Sequence, residues 1–241
     1  MSDADQPLFR ADPYRREAPG TVVAHTPEGG VVLDWGLFYA TGGGQPGDSG
    51  RLVWDGGTMS VTTAEPVEGR IALFPAQGAA LPGIGAQVTQ HVDWPRRYRL
   101  MRMHTALHLL SVVIPLPVSG GQIGEARSRL DFDMPEAPED RDAVAAELAA
   151  LVARDLMVDE DWITGSELDA NPGLVKTMSV APPRGAGQVR LIRIGAGDEQ
   201  VDLQPCGGTH VARTGEIGAL RLGKIEKKGR RNRRVYLHLE D

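Results

Sequence analysis

The stretch Asp93-Trp-Pro-Arg-Arg-Tyr-Arg-Leu-Met-Arg-Met-His104-Thr-Ala-Leu-His108-Leu-Leu110 separates two kinds of sequence pattern. Before it, short β-like runs are broken by Gly and Pro. From Arg96 to about Ile114 the pattern is helical, with Met101, Ala106, Leu109, Leu110 and Val113 among the apolar positions. Pro95 disfavours helix at Trp94, which places the joint at 93–95. Pro115 and Pro117 end the helix. On that helix His104 and His108 are four apart, so their imidazoles share one face, one turn apart.

Upstream, residues 1–20 are polar and Pro-rich and read as irregular. The runs Thr21–Ala24, Val31–Trp35, Gly50–Trp54, Thr58–Val61, Arg70–Phe74 and Gln87–Val92 read as strands, with Gly29-Gly30 and Gly56-Gly57 as turns. Six short strands at this spacing predict a small β-barrel over 1–95. Downstream, Gln122–Phe132 alternates as a strand. Glu139 to about Leu156 reads as a helix with Ala143, Leu148, Leu151 and Val152 on one side. A strand-like piece begins at Asp159, and a short helix broken by Pro172 falls in 166–178. Val189–Ile194, Glu216–Leu222 and Arg234–Leu239 read as strands. Without regular βαβ alternation, 96–241 is expected to be an α+β core with helices on an antiparallel sheet.

The composition is globular, with 41% hydrophobic and 24% charged residues. One cysteine excludes an internal disulfide and fits a reducing compartment. No apolar run nears the roughly 20 residues that span a bilayer, and the first ten residues carry no apolar leader core. The expectation is a cytoplasmic protein with no membrane and no stable protein partner. The net charge of −6 lies in residues 1–95, while 96–241 balances. Two basic clusters stand in that second part. One is Arg96, Arg97, Arg99 and Arg102. The other runs from Lys224 to Arg234 and includes Lys227, Lys228, Arg230, Arg231, Arg233 and Arg234 against Glu226. Together they point to a polyanionic substrate.

Gln204-Pro-Cys206-Gly-Gly-Thr-His210 repeats the spacing of four with the only thiol. His104, His108, Cys206 and His210 make a tetrahedral zinc set, or three ligands with an open position. Such an ion lowers the pKa of bound water toward ~7 and polarises a carbonyl, which suits ester or amide hydrolysis. A zincin protease needs Glu after the first His, and Thr105 stands there. Cys206 as a nucleophile with His210 as base is the weaker alternative. The run Gly42-Gly-Gly-Gln45-Pro-Gly-Asp48-Ser-Gly50 lacks the Lys-Ser/Thr of a P-loop, so nucleotide triphosphate chemistry is not indicated.

These motifs, with Arg129-Leu-Asp-Phe132 and Cys206-Gly-Gly-Thr-His-Val211, resemble the AlaX family from about residue 21 onward. That family comprises free-standing alanyl-tRNA editing proteins. It is related to the editing domain of alanyl-tRNA synthetase and to a threonyl-tRNA synthetase domain. The length resembles the medium class, with a small N-terminal barrel and an editing core. The resemblance implies zinc on His104, His108, Cys206 and His210, with the Gly-rich run against the editing site. It also implies hydrolysis of the ester joining serine or glycine to the 3′ end of alanine tRNA. Expected substrate contacts are Gln45, Gln122, Gly43 and Gly44. Expected tRNA contacts are Arg96, Arg97, Lys227, Lys228, Arg230, Arg231, Arg233 and Arg234. No protein side chain is assigned as the catalytic group beside the zinc-bound water. Two rival expectations are a zinc-stabilised RNA-binding module without catalysis and a zinc hydrolase of small esters or amides.

Overall fold

A computed structural model describes residues 7–178 and 187–240. The chain divides into two compact units, Met1–Tyr98 and Arg99–Asp241.

In the first unit, six strands close into an antiparallel barrel in the order β1-β2-β5-β4-β3-β6. They are β1 (Glu17–His25), β2 (Val31–Leu33), β3 (Gly50–Trp54), β4 (Gly57–Val67), β5 (Arg70–Pro75) and β6 (Gln87–Val92). The barrel is filled by the inward residues of alternating strands, among them Val22, Val31, Leu52, Met59, Val61, Leu73 and Val88. Burying these side chains stabilises the unit by roughly 1.5–3 kcal/mol for each large aliphatic residue. All six expected strands are present, and β4 extends beyond its expected end. Residues 7–19 hold more regular structure than expected. A short helix α1 (Leu8–Ala11) precedes β1, which already starts at Glu17. The register of β1 against β6 begins at Glu17, opposite His91, so backbone pairing recruits residues that carry little apolar signal.

The Gly-rich run is tied to this barrel by close backbone approach. A Cβ on Gly47 would stand 2.0 Å from the carbonyl oxygen of Ala64, and one on Gly50 would stand 2.1 Å from that of His91. Neither position has room for any other residue.

Helix α2 (Trp94–Val113) starts two residues earlier than expected. Asp93 caps it: its carboxylate accepts from the Arg96 amide at 3.3 Å and its carbonyl from the Arg97 amide. Pro95 falls in the first turn, where a missing N–H costs nothing because no carbonyl precedes it. From Met103 to Ser111 every residue is buried, so the helix is enclosed all round.

The second unit holds two antiparallel sheets. One has the order β11-β10-β9, with β9 (Val158–Thr164), β10 (Gln188–Ile194) and β11 (Asp202–Pro205). The other has the order β12-β13-β8-β7, with β7 (Val118–Gln122), β8 (Arg127–Asp133), β12 (Leu220–Lys227) and β13 (Asn232–Leu239). Helices α3 (Arg141–Ala153) and α4 (Gly165–Ala170) complete it, giving the expected α+β class. Asp140 caps α3 by accepting from the Ala143 amide at 2.8 Å. Leu148, Leu151 and Val152 are buried on α3, as expected, whereas Ala143 in the first turn is exposed. The single strand expected over Gln122–Phe132 is a hairpin, because its first residue ends β7 and the chain turns before Arg127. The strand expected from Glu216 is a 3-10 turn at Thr214–Ile217, and β12 starts only after Gly218, whose φ of 71° breaks the extended run.

Candidate metal centre

Helix α2 supplies His104 and His108 from adjacent turns, and the loop after β11 supplies Cys206 and His210. One ligand atom from each lies within 4.8 Å of all the others. The Cys206 thiol is 3.4 Å from His104 Nε2 and 3.2 Å from His210 Nε2. Tetrahedral zinc with these donors sets ligand atoms about 3.5 Å apart, so the cluster is near that spacing. All three imidazoles are buried.

A second layer of polar side chains sets which imidazole nitrogen faces the cluster. Asp202 Oδ2 lies 3.0 Å from His108 Nδ1, and a carboxylate there accepts a hydrogen bond from Nδ1–H and keeps the proton on that nitrogen. Asp202 is itself held by Lys176 Nζ at 2.6 Å and by the Gln204 amide at 2.7 Å. Thr105 donates its hydroxyl proton to the Met101 carbonyl, 3.1 Å away. Its oxygen is then an acceptor for His210 Nδ1–H at 3.1 Å and for the Val211 amide at 3.3 Å. Both rings therefore turn Nε2 toward the thiol. Arg190 donates to the carbonyls of Cys206 and Gly208, each at 3.0 Å, and pairs with Glu160. It fixes the turn that carries the two loop ligands.

The electrostatics suit metal ligation. Burial resists ionisation of Cys206, but the His104 and His210 rings outweigh it and hold the thiol well below its ordinary 9.0. Burial also pushes His108 down, yet the Asp202 and Cys206 partners raise it to about 9. Burial together with the neighbouring His104 ring pushes His210 down to about 3. A thiolate among imidazoles is a soft, anionic donor set, and a cation entering it displaces the shared proton.

Of these supporting residues, Asp202, Gln204, Lys176, Thr105 and Arg190 draw no role from the sequence. A signal for two of them was present. Asp202 and Gln204 are buried at alternate positions of β11, and Cys206 follows at the next even step.

The other expected site residues fall as follows. Gln45 is fully buried in the first unit, and its backbone pairs with Gly42. Gly43 and Gly44 follow Gly42 with φ of 56° and 82°. In the second unit, Gln122 is at the exposed end of β7, where its side-chain Oε1 accepts from Arg129 Nε at 3.3 Å. The expectation that Arg97 contacts tRNA is overturned: the side chain is fully buried and ion-paired with Asp48. Arg96 donates to the Gly47 carbonyl at 2.8 Å, and Arg102 to the Ile217 carbonyl at 2.9 Å.

The second basic cluster is the hairpin of β12 and β13. Much of its charge is balanced. Lys224 and Lys228 pair with Glu226, Arg231 with Asp133 and Arg234 with Asp131. Arg233 donates to the carbonyls of Gly229, Asn232 and Pro135. Lys227 and Arg230 are exposed and form no ion pair among the described residues.

Residues 189–236 match the family model "Threonyl and Alanyl tRNA synthetase second additional domain", and residues 14–96 match "tRNA synthetases class II (A)". The chain is 34% identical to the alanyl-tRNA editing protein AlaX-M of Methanosarcina acetivorans, over 97% of this chain and 98% of that protein. The corresponding protein of Methanosarcina mazei is 33% identical over 97% and 96%. An alanine–tRNA ligase of Pyrobaculum calidifontis is 36% identical over 91% of this chain but only 25% of the ligase. Similarity spanning both units and nearly the full length of the M. acetivorans and M. mazei proteins places this chain in the AlaX-M family of alanyl-tRNA editing proteins.

Proposed function

We propose that this chain is a trans-editing hydrolase. It cleaves the ester joining serine, and also glycine, to the 3′ end of alanine tRNA, and the editing chemistry belongs to residues 96–241. The observation that carries this is the buried His104, His108, Cys206 and His210 cluster in a chain that aligns end to end with AlaX-M editing proteins. The donor set and spacing fit Zn²⁺. When bound, that ion supplies a Lewis acid for a carbonyl or amine of the aminoacyl group.

The protein's own groups do the rest. Asp202 keeps the proton on His108 Nδ1, and Thr105 keeps it on His210 Nδ1, so neither ring can rotate a proton into the cluster. Arg190 holds the Cys206–Gly208 turn against β10. Lys227 and Arg230, with Lys228 and Arg231 beside them, take phosphates of the acceptor arm, a contact that carries affinity but little sequence information. Gln45, Gln122, Gly43 and Gly44 remain our assignments for contacts to the aminoacyl end. A pocket built to hydrogen-bond a serine hydroxyl discriminates against alanine far better than an apolar pocket discriminates by one methyl group.

The test is deacylation of Ser-tRNA(Ala), Gly-tRNA(Ala), Ala-tRNA(Ala) and Ser-tRNA(Thr) side by side. Loss of serine from alanine tRNA with Ala-tRNA(Ala) spared is the expected result. Equal rates on all four, or none above the buffer rate, would overturn the assignment.

A further inference from the structure

The arginines free to meet a polyanion in the first unit are not those the sequence clusters. Among the described residues, Arg15, Arg16, Arg51 and Arg70 are exposed and form no ion pair. Arg16 and Arg51 line one cleft of about 610 Å³ on the outside of the barrel. The cleft floor is a row of cross-strand neighbours. His91 on β6 stands opposite Arg51 on β3, and Arg51 stands opposite Ser60 on β4. Residues directly opposite on adjacent strands share a face and stand about 5 Å apart. At one end of the row Arg16 lies over the Trp94 ring, 4.6 Å from its centroid, and Trp94 in turn stacks on Tyr98 at 5.3 Å and 25°.

Two acids also line the cleft. Glu17 Oε2 lies 3.5 Å from His91 Nδ1, and Asp93 caps α2 and accepts from Ser49. What remains open is two cations, the Ser60 hydroxyl and an arginine-on-tryptophan platform. Unpaired arginines meet phosphates, guanidinium planes and aromatic rings meet bases, and carboxylates accept from ribose hydroxyls.

We infer that this cleft is an RNA-backbone subsite for the tRNA, with Arg16 and Arg51 each meeting a phosphate. The inference rests on the tRNA-editing reading above and adds a second contact surface, on the barrel unit. Two phosphate contacts contribute about 1.8 units to the slope of log affinity against log salt. Between 50 and 200 mM salt the parent should therefore lose about tenfold more affinity for uncharged alanine tRNA than the Arg16→Ala/Arg51→Ala variant does. Each single variant should account for about half of the slope change, and Arg51→Lys, which keeps the charge, should retain the slope. Arg193→Ala/Arg221→Ala removes the same charge from residues paired with Asp159 and Glu240 and should leave the slope at the parental value. An unchanged slope in Arg16→Ala/Arg51→Ala, or an equal change in the Arg193/Arg221 control, would overturn the subsite. Hydrolysis of Ser-tRNA(Ala) by the parent protein is read separately. Active parent with an unchanged variant slope sinks only the subsite, and inactive parent sinks the editing reading itself.

Discussion

Arg97 stands in a run of arginines that, as a run, reads as a polyanion-binding face. Its guanidinium is instead fully buried, where it bonds Asp48 and the Leu37 carbonyl. Asp48 is the acid of the Gly-rich run and also accepts from the Tyr39 amide at 2.6 Å. Breaking such a pair strands a buried charge, at a cost of about 3–5 kcal/mol. Arg97→Ala should lower stability by that amount in urea melts, whereas Arg97→Ala combined with Asp48→Ala should cost less than the single change. A single variant within 1 kcal/mol of the parent, on the order of ordinary surface changes, would contradict the role. A second residue-scale expectation concerns Asp202. Outer-shell carboxylates of ligand histidines are worth about 10–100-fold in metal affinity. Asp202→Asn should weaken zinc binding by that factor in chelator competition while the protein melts as a folded chain. Parental zinc affinity in this variant would show that His108 is positioned without it.

At the level of elements, β8 explains a motif that the sequence shows but does not interpret. Leu130 and Phe132 point inward, while Arg129 and Asp131 share the other face. Asp131 accepts two bonds from Arg234 at 2.8 Å and one from Arg129 at 2.7 Å, locking β8 to β13. Partial burial alone would raise the Asp131 pKa, but the two guanidinium groups outweigh it and lower it from 3.8. A depressed carboxylate contributes stability that is present above the unfolded pKa and is lost as pH falls through the folded one. Asp131→Asn should therefore cost about 2 kcal/mol at pH 7, a loss that shrinks toward zero as the medium is acidified below pH 3.8. A melting difference that is constant with pH would assign the loss to packing instead.

Across the whole molecule, what the sequence shows legibly is what local pattern dictates. The six barrel strands follow from period-two alternation between Gly turns, and β6 has the expected bounds, Gln87–Val92, with Val88 and Val92 buried. The four-residue cluster is legible because two spacings of four place side chains on one helix face and one turn. The rest depends on partners distant in sequence. β11 is four residues long and exists through pairing with β10. Arg234 and Arg231 of the β12–β13 hairpin are paired with Asp131 and Asp133, about a hundred positions away. Arg16 and Arg51 are 35 residues apart in the chain, and only the barrel brings them to one cleft. Among the described residues no helix is long and apolar enough to cross a membrane.

We propose that His104, His108, Cys206 and His210 form the site where mischarged alanine tRNA loses its amino acid. The most direct test is the rate of serine release from Ser-tRNA(Ala) by Cys206→Ala, measured at a temperature where circular dichroism shows the variant folded. Loss of a ligand to a catalytic ion silences a folded protein, whereas loss of a purely structural zinc unfolds it. The expected result is a folded variant that releases serine no faster than buffer. Release at the parental rate would contradict it.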